Sequence, residues 1–174
     1  MRKNRLLQLT AALLCTVILS ACGGAPADAD YTCTVSISCA TILDNMDQCT
    51  ESKKELVPAD GVILPATEVA FAEGESAFDV LQRVCRDNGI HLESKFTPVY
   101  NSAYIQGIHN IYEFDVGKLS GWMYSVNDWF PNYGCSLYQV QDGDVICWVY
   151  TCDLGTDVGG GQAAGDGQQE GANT

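Results

Sequence analysis

Basic residues are scarce: 9 Lys and Arg stand against 22 Asp and Glu in 174 residues, a formal charge of -13. Nucleic-acid affinity comes from Lys and Arg displacing counterions from phosphates, so this balance argues against a nucleic-acid partner. Gly and Pro, at 17 and 5, fall short of collagen or linker levels, and an apolar content of 47% is too high for a disordered polymer. Most of the chain must fold, and its length suits one domain better than two. No apolar run reaches the roughly 20 residues that a spanning helix requires. Catalytic signatures are missing as well. There is no G-x-S-x-G elbow, and the two His, His91 and His109, have no local partner that would orient a Cys nucleophile. The abundance of loop acids makes chance carboxylate pairs common, so they do not argue for glycoside cleavage. The expectation is a protein that is not an enzyme.

What is present first is an address. Arg2, Lys3 and Arg5 precede an apolar run from Leu6 to Leu19 and then small residues, the layout of a secretory signal. The run ends in Leu19-Ser20-Ala21-Cys22, which resembles a bacterial lipobox. Residues 1–21 are read as a lipoprotein signal peptide and Cys22 as the lipid anchor, with 22–30 a flexible tether. Cleavage leaves a mature charge of about -16, which an anionic membrane surface would not attract, so the lipid must supply the attachment. The expected location is extracytoplasmic, anchored to the cell membrane at the bacterial surface.

Residues 31–158 carry core-forming patterns, and 159–174 read as a disordered Gly-rich tail. Cys33, Val35, Ile37 and Cys39 alternate along a strand face, and a short helical segment around Thr41 to Met46 follows. Val62 to Pro65 and Glu68 to Phe71 read as two short strands. Ser76 with Asp79 forms a capping-box pattern. Phe78, Leu81, Val84 and Cys85 recur at helical spacing and Gly89 supplies the stop, which predicts one main helix over about Ser76–Asn88. Strands are expected at about His91–Thr97, Tyr104–Ile105, Tyr112–Phe114, Gly121–Val126 and Val145–Thr151. One helix crossing a mostly antiparallel sheet is α+β, and the order strand, strand, helix, strands is β-grasp-like.

The stretch Trp122 to Tyr133 concentrates large aromatics among turn residues. Trp122, Tyr124, Trp129, Phe130 and Tyr133, with Asn127 and Asn132 as hydrogen-bonding groups, form a candidate stacking surface for a flat or ring-shaped ligand. The competing reading places Trp122 and Tyr124 in a small sheet core and leaves Trp129, Phe130 and Pro131 to staple a loop. The cluster Tyr100 to Tyr104 is either a facing loop or a strand connection. Among the acids, Asp142-Gly143 reads as a turn, while Asp153 and Asp157 are candidate surface Ca²⁺ ligands that match no EF-hand spacing.

The pattern GWMYxVNxWFPNYG, the DGDV turn and the WxYTxDLGxDVG ending, over Leu119 to Gly159, resemble the transcobalamin-like C-terminal domain family of bacterial surface lipoproteins. CTVSISCATILDNMD, EGESAFDVLQRVC and YNSAYIQGIHNIYEFD extend the resemblance across Cys33 to Gly159. It implies a β-grasp-like fold and extracytoplasmic binding of a soluble ligand rather than catalysis. In the animal carriers of this family the domain supplies half of a cobalamin site and a helical barrel the other half; this sequence has too few helical residues for a barrel.

Nine Cys fall to seven once Cys15 leaves with the signal and Cys22 takes the lipid. In an oxidising compartment Cys33, Cys39, Cys49, Cys85, Cys135 and Cys152 are disulfide candidates, with connectivity open. The resemblance singles out Cys147 as the odd thiol, because other members carry Glu there. No C-x-x-C pair seeds a zinc site.

The functional expectation is therefore a lipid-anchored, non-catalytic protein that binds a small-molecule ligand, a corrinoid being the implied class, with no resident cofactor. The alternatives are an adhesion or accessory module that contacts cell-wall glycan or a protein partner, and a surface Ca²⁺ protein.

Overall fold

The capping box at Ser76 closes as its spacing predicts: the Ser76 hydroxyl accepts from Asp79 N at 3.2 Å while Ser76 N donates to the Asp79 carboxylate at 2.9 Å. Helix α1 runs Ala77–Asp87. It ends in a Schellman arrangement, with Gly89 at a φ of 65°, Gly89 N donating to Arg86 O and Ile90 N to Cys85 O. The computed structural model describes residues 24–161. The expected signal peptide, the expected anchor Cys22 and residues 162–174 of the expected tail lie outside the described residues. Among those described, no helix is long and apolar enough to cross a membrane.

Strands β1 (Tyr31–Ser38), β2 (Val62–Phe71), β3 (Leu92–Thr97), β4 (Ser102–Ile108), β5 (Ile111–Tyr112), β6 (Gly121–Val126) and β7 (Val145–Thr151) form two sheets. The larger has the order β2-β1-β7-β6, with β1 parallel to β7 and the other pairs antiparallel; the smaller has the order β3-β4-β5. The fold is α+β, with one main helix and mostly antiparallel sheets. The single expected sheet is thus divided, and the two short strands before α1 are one. Pro65 does not end β2, because β2 is an edge strand and the register against β1 shifts between Val35 and Ile37, where Pro65 and Ala66 bulge.

Alternation in β1 buries Cys33, Val35 and Ile37 on one face. That face joins Ile146, Trp148 and Tyr150 of β7, Trp122, Tyr124 and Val126 of β6, and the stripe Ala77, Val80, Leu81, Val84 and Cys85 of α1 in one core. The stripe sits slightly off the expected one: Phe78 is only partly buried, and Ala77 and Val80 take its place. Arg83 on α1 is also buried, its Nη2 against the Glu75 carboxylate at 2.9 Å and its Nη1 donating to Ala70 O at 2.9 Å, which ties the helix to the end of β2.

The smaller sheet is joined to the larger by two core aromatics. Trp122 Nε1 donates to Ile111 O at 2.8 Å, and the Tyr150 hydroxyl lies 2.7 Å from Tyr112 O. Between β4 and β5, His109 and Asn110 both have positive φ, 55° and 60°, as a two-residue type I′ turn requires.

The C-terminal turn folds where the tail was expected to begin. Thr156–Val158 form a 3-10 turn, Gly160 N donates to Gly155 O at 2.7 Å, and a Cβ built on Gly160 would lie 2.9 Å from a Phe130 ring carbon. Only Gly permits that approach.

Candidate functional site

The aromatic segment divides into core and surface. On β6, Trp122 faces Tyr150 and Tyr124 faces Trp148 across the β6–β7 pairing. The rings of Trp122 and Tyr150 meet edge-on at 5.3 Å, and those of Tyr124 and Trp148 stack at 5.4 Å. Both Trp122 and Tyr124 are buried, so they fill the sheet core and are not open to a ligand.

At the end of β6 the chain reverses through Asn127 and Asp128, with φ of 50° and 65°, and Val126 and Trp129 exchange both backbone hydrogen bonds at 2.8 and 2.9 Å. This is a type I′ turn, which Asn and Asp tolerate better than other non-Gly residues. The Asn127 side chain is consumed in holding it: its amide donates to Asp144 Oδ1 at 2.8 Å and its carbonyl accepts from Val145 N at 2.9 Å. Asp144, 5% exposed, also accepts from the Tyr138 hydroxyl at 2.9 Å and from Gln141 N at 2.8 Å. Burial, followed by the bond to Asp144, pushes the Tyr138 phenol far up.

What that turn presents is Trp129, 49% exposed, beside Tyr133, 40% exposed, the rings in edge contact at 6.0 Å. Asn132 is exposed next to them and Phe130 is half-buried against Gly160. The loop is held from beneath, since the buried Tyr124 hydroxyl donates to Tyr133 O at 3.0 Å. It is held from the side as well. Ala103 N donates to Ser136 Oγ at 3.0 Å, the Ser102 and Ser136 hydroxyls are 2.8 Å apart, and Gly134 leaves no room for a Cβ against Ser102. The Tyr100 to Tyr104 segment is therefore both a strand connection and a neighbour of the aromatic loop. From Cys135 onward the chain lies along the start of α1, with Phe78 N donating to Cys135 O, Ala77 N to Tyr138 O and Val140 N to Glu75 O.

Asp157 caps its own turn: one oxygen accepts from the Thr151 hydroxyl and the other from Cys152 N at 2.7 Å. Among the described residues no group of three or more His, Cys, Asp or Glu could hold a metal, and Asp157 is engaged in its own turn rather than beside Asp153.

The structure holds no bond between the disulfide candidates. Cys33, Cys39, Cys49, Cys85, Cys135 and Cys152 are free thiols, as is Cys147. The first five are buried as small apolar fillers. Burial pushes Cys33 and Cys39 up to about 11 and Cys85 and Cys135 up to about 12, so they are protonated and unreactive at neutral pH. Cys49 and Cys152 lie near enough to Cys39 to raise its thiol further, a smaller effect than burial.

Two features were not foreseen. Asp144 was read only as part of a turn, because its partner Asn127 lies 17 residues away in sequence. A cavity lined by Tyr31, Phe71, Glu73, Gln139, Gln141 and Asp142 lies between the ends of β1 and β2 and the turn before β7, and no local pattern signals it.

Comparison with known proteins bears on the fold. Residues 74–152, less than half of the chain, match the family described as Domain of unknown function (DUF4430). Among curated proteins, none matches. Haptocorrin, solved in complex with Cbi, is similar at a TM-score of 0.53 and 13% identity over 71% of this chain. That match takes in 25% of the haptocorrin chain, so the likeness is to about a quarter of that protein and is one of fold. A candidate metal binding protein from Ruminococcus gnavus aligns over 70% of this chain and 97% of its own, at 14% identity and a TM-score of 0.41. The class these observations define is an α+β fold similar to about a quarter of haptocorrin.

Proposed function

We propose that the protein is a non-catalytic ligand-binding lipoprotein, anchored outside the cell through Cys22, that receives a corrinoid on the Trp129, Phe130 and Tyr133 surface. The observation that carries this reading is the exposed Trp129–Tyr133 pair. The other Trp residues are buried, whereas this pair sits on a strained two-residue turn locked by the Asn127–Asp144 network. Fixed aromatic faces lose little conformational entropy on stacking against a flat ring, and Asn132 beside them offers amide hydrogen bonds. The fold likeness to haptocorrin, whose solved form holds Cbi, agrees with this ligand class.

The test is a fluorescence titration of the purified chain with cobinamide and cobalamin. Saturable quenching that is lost in Trp129→Ala, with the melting temperature kept, supports the reading; no quenching by either corrinoid overturns the ligand.

A second reading is favoured by a different observation. Phe96, Val99, Tyr100 and Tyr104 are all exposed around the β3–β4 connection, and β3 is an edge strand. Such a face suits a protein or glycan partner and would make this an accessory or adhesion module. Capture of cell-wall glycan, lost on Tyr100→Ala, would favour it.

A further inference from the structure

Away from the Trp129 surface, a cavity of about 380 Å³ opens between the ends of β1 and β2 and the turn leading into β7. We propose that it binds a small organic ammonium ion. One wall is aromatic: Tyr31, 38% exposed, presents its ring there and rests on the buried Phe71 across β1 and β2, the ring centroids 5.7 Å apart. Ring faces attract a cation that has shed part of its water. The polar lining is acceptor-rich. Glu73 has no hydrogen-bond partner among the described residues, and Asp142 uses Oδ1 to accept from Thr32 N at 2.9 Å, leaving Oδ2 open. The Gln141 amide nitrogen is engaged with Gln139 O and Val140 O, and its carbonyl accepts no bond among the described residues. No Lys, Arg or His among the described residues lines the cavity, and Arg83 is already paired with Glu75.

A ligand that fits must therefore donate hydrogen bonds, carry positive charge and have an apolar portion to lie on the rings. A bare metal ion does not suit, because no group of three or more suitable ligands exists among the described residues. The formal charge of -13 adds a field that draws cations toward the surface.

The experiment is calorimetric titration of the purified chain with choline and ethanolamine, with glucose and calcium as comparators. Side-chain amide NMR is followed for Gln139 and Gln141, and indole NMR for Trp129. The expected result is saturable choline or ethanolamine binding that shifts the Gln139 amide and leaves the Trp129 indole unmoved. Tyr31→Ala and Glu73→Gln should each weaken it about tenfold with the melting temperature kept. Neither substitution removes a hydrogen bond that the fold uses among the described residues; because Tyr31→Ala also uncovers the buried Phe71, Tyr31→Leu, which keeps apolar cover and removes the ring face, is measured beside it and should weaken binding equally. No binding by either ammonium ion, equal binding by glucose or calcium, unchanged binding in both variants, or a shift confined to Trp129 overturns the proposal.

Discussion

Tyr124 joins the core to the candidate site: its ring stacks on Trp148 at 5.4 Å while its hydroxyl donates to Tyr133 O at 3.0 Å. A residue that is buried and cannot touch a ligand thus sets the position of one that can. Tyr124→Phe keeps the stacking and deletes the bond. It should cost about 1 kcal/mol in urea unfolding and weaken any ligand held by Tyr133, with the sheet intact by circular dichroism. An unchanged affinity would show that the loop is held by its other contacts.

Asp144 is the hub of the turn network, accepting from Asn127, Tyr138 and Gln141 N. Asp144→Ala leaves three donors without their acceptor in a nearly closed space, and the expected loss is about 3 kcal/mol. Denaturant midpoints of Asp144→Ala and Asn127→Ala should show the first to be the more damaging, because Asn127 is itself exposed and water can replace part of what it gives.

Asp128 has a φ of 65° in the type I′ turn. Gly adopts that conformation without a Cβ penalty, and Asn-Gly is the favoured pair for such a turn. Asp128→Gly should stabilise the protein by about 0.5 kcal/mol, read as a small rise in melting temperature. A fall would mean that the Asp128 side chain contributes to the turn.

Alkaline pH should unfold the protein early. Burial raises Cys39 from an ordinary 9.0 to about 11 and Cys85 to about 12, and it pushes Tyr124, Tyr138 and Tyr150 upward in the same direction. The folded state keeps protons that the unfolded chain releases. The stabilisation is therefore complete below about pH 9 and is lost as pH rises toward 11 and 12. Melting temperature measured from pH 7 to 11 should be level and then fall, and a profile flat to pH 11 would count against burial of these groups.

Local chemistry made much of the fold legible. Helix α1 was readable because the Ser76–Asp79 box and Gly89 act within one helical turn, and β1, β6 and β7 because alternation records which side faces the core. Long-range pairing leaves no such record. Neither the parallel contact of β1 with β7 nor the separation of β3-β4-β5 into a second sheet follows from any one segment. Pro65 suggested a break, and only the position of β2 at an edge makes it tolerable.

The site divides on the same line. That Trp122 to Tyr133 is an unusual concentration of aromatics is a property of the sequence, as is the acidic balance. Which of those aromatics face water depended on the partner strand, because Trp148 and Tyr150 of β7 take Tyr124 and Trp122 into the core while the turn at Asn127 carries Trp129 out of it. The thiols show it again: the sequence offered six Cys as disulfide candidates, and only the packing shows that five of them are buried in the core. A residue's type and spacing act over a few residues and so can be read in order. Its burial and partners depend on chain brought together from a hundred residues away, as β7 is brought to β1, and tertiary packing alone decides them.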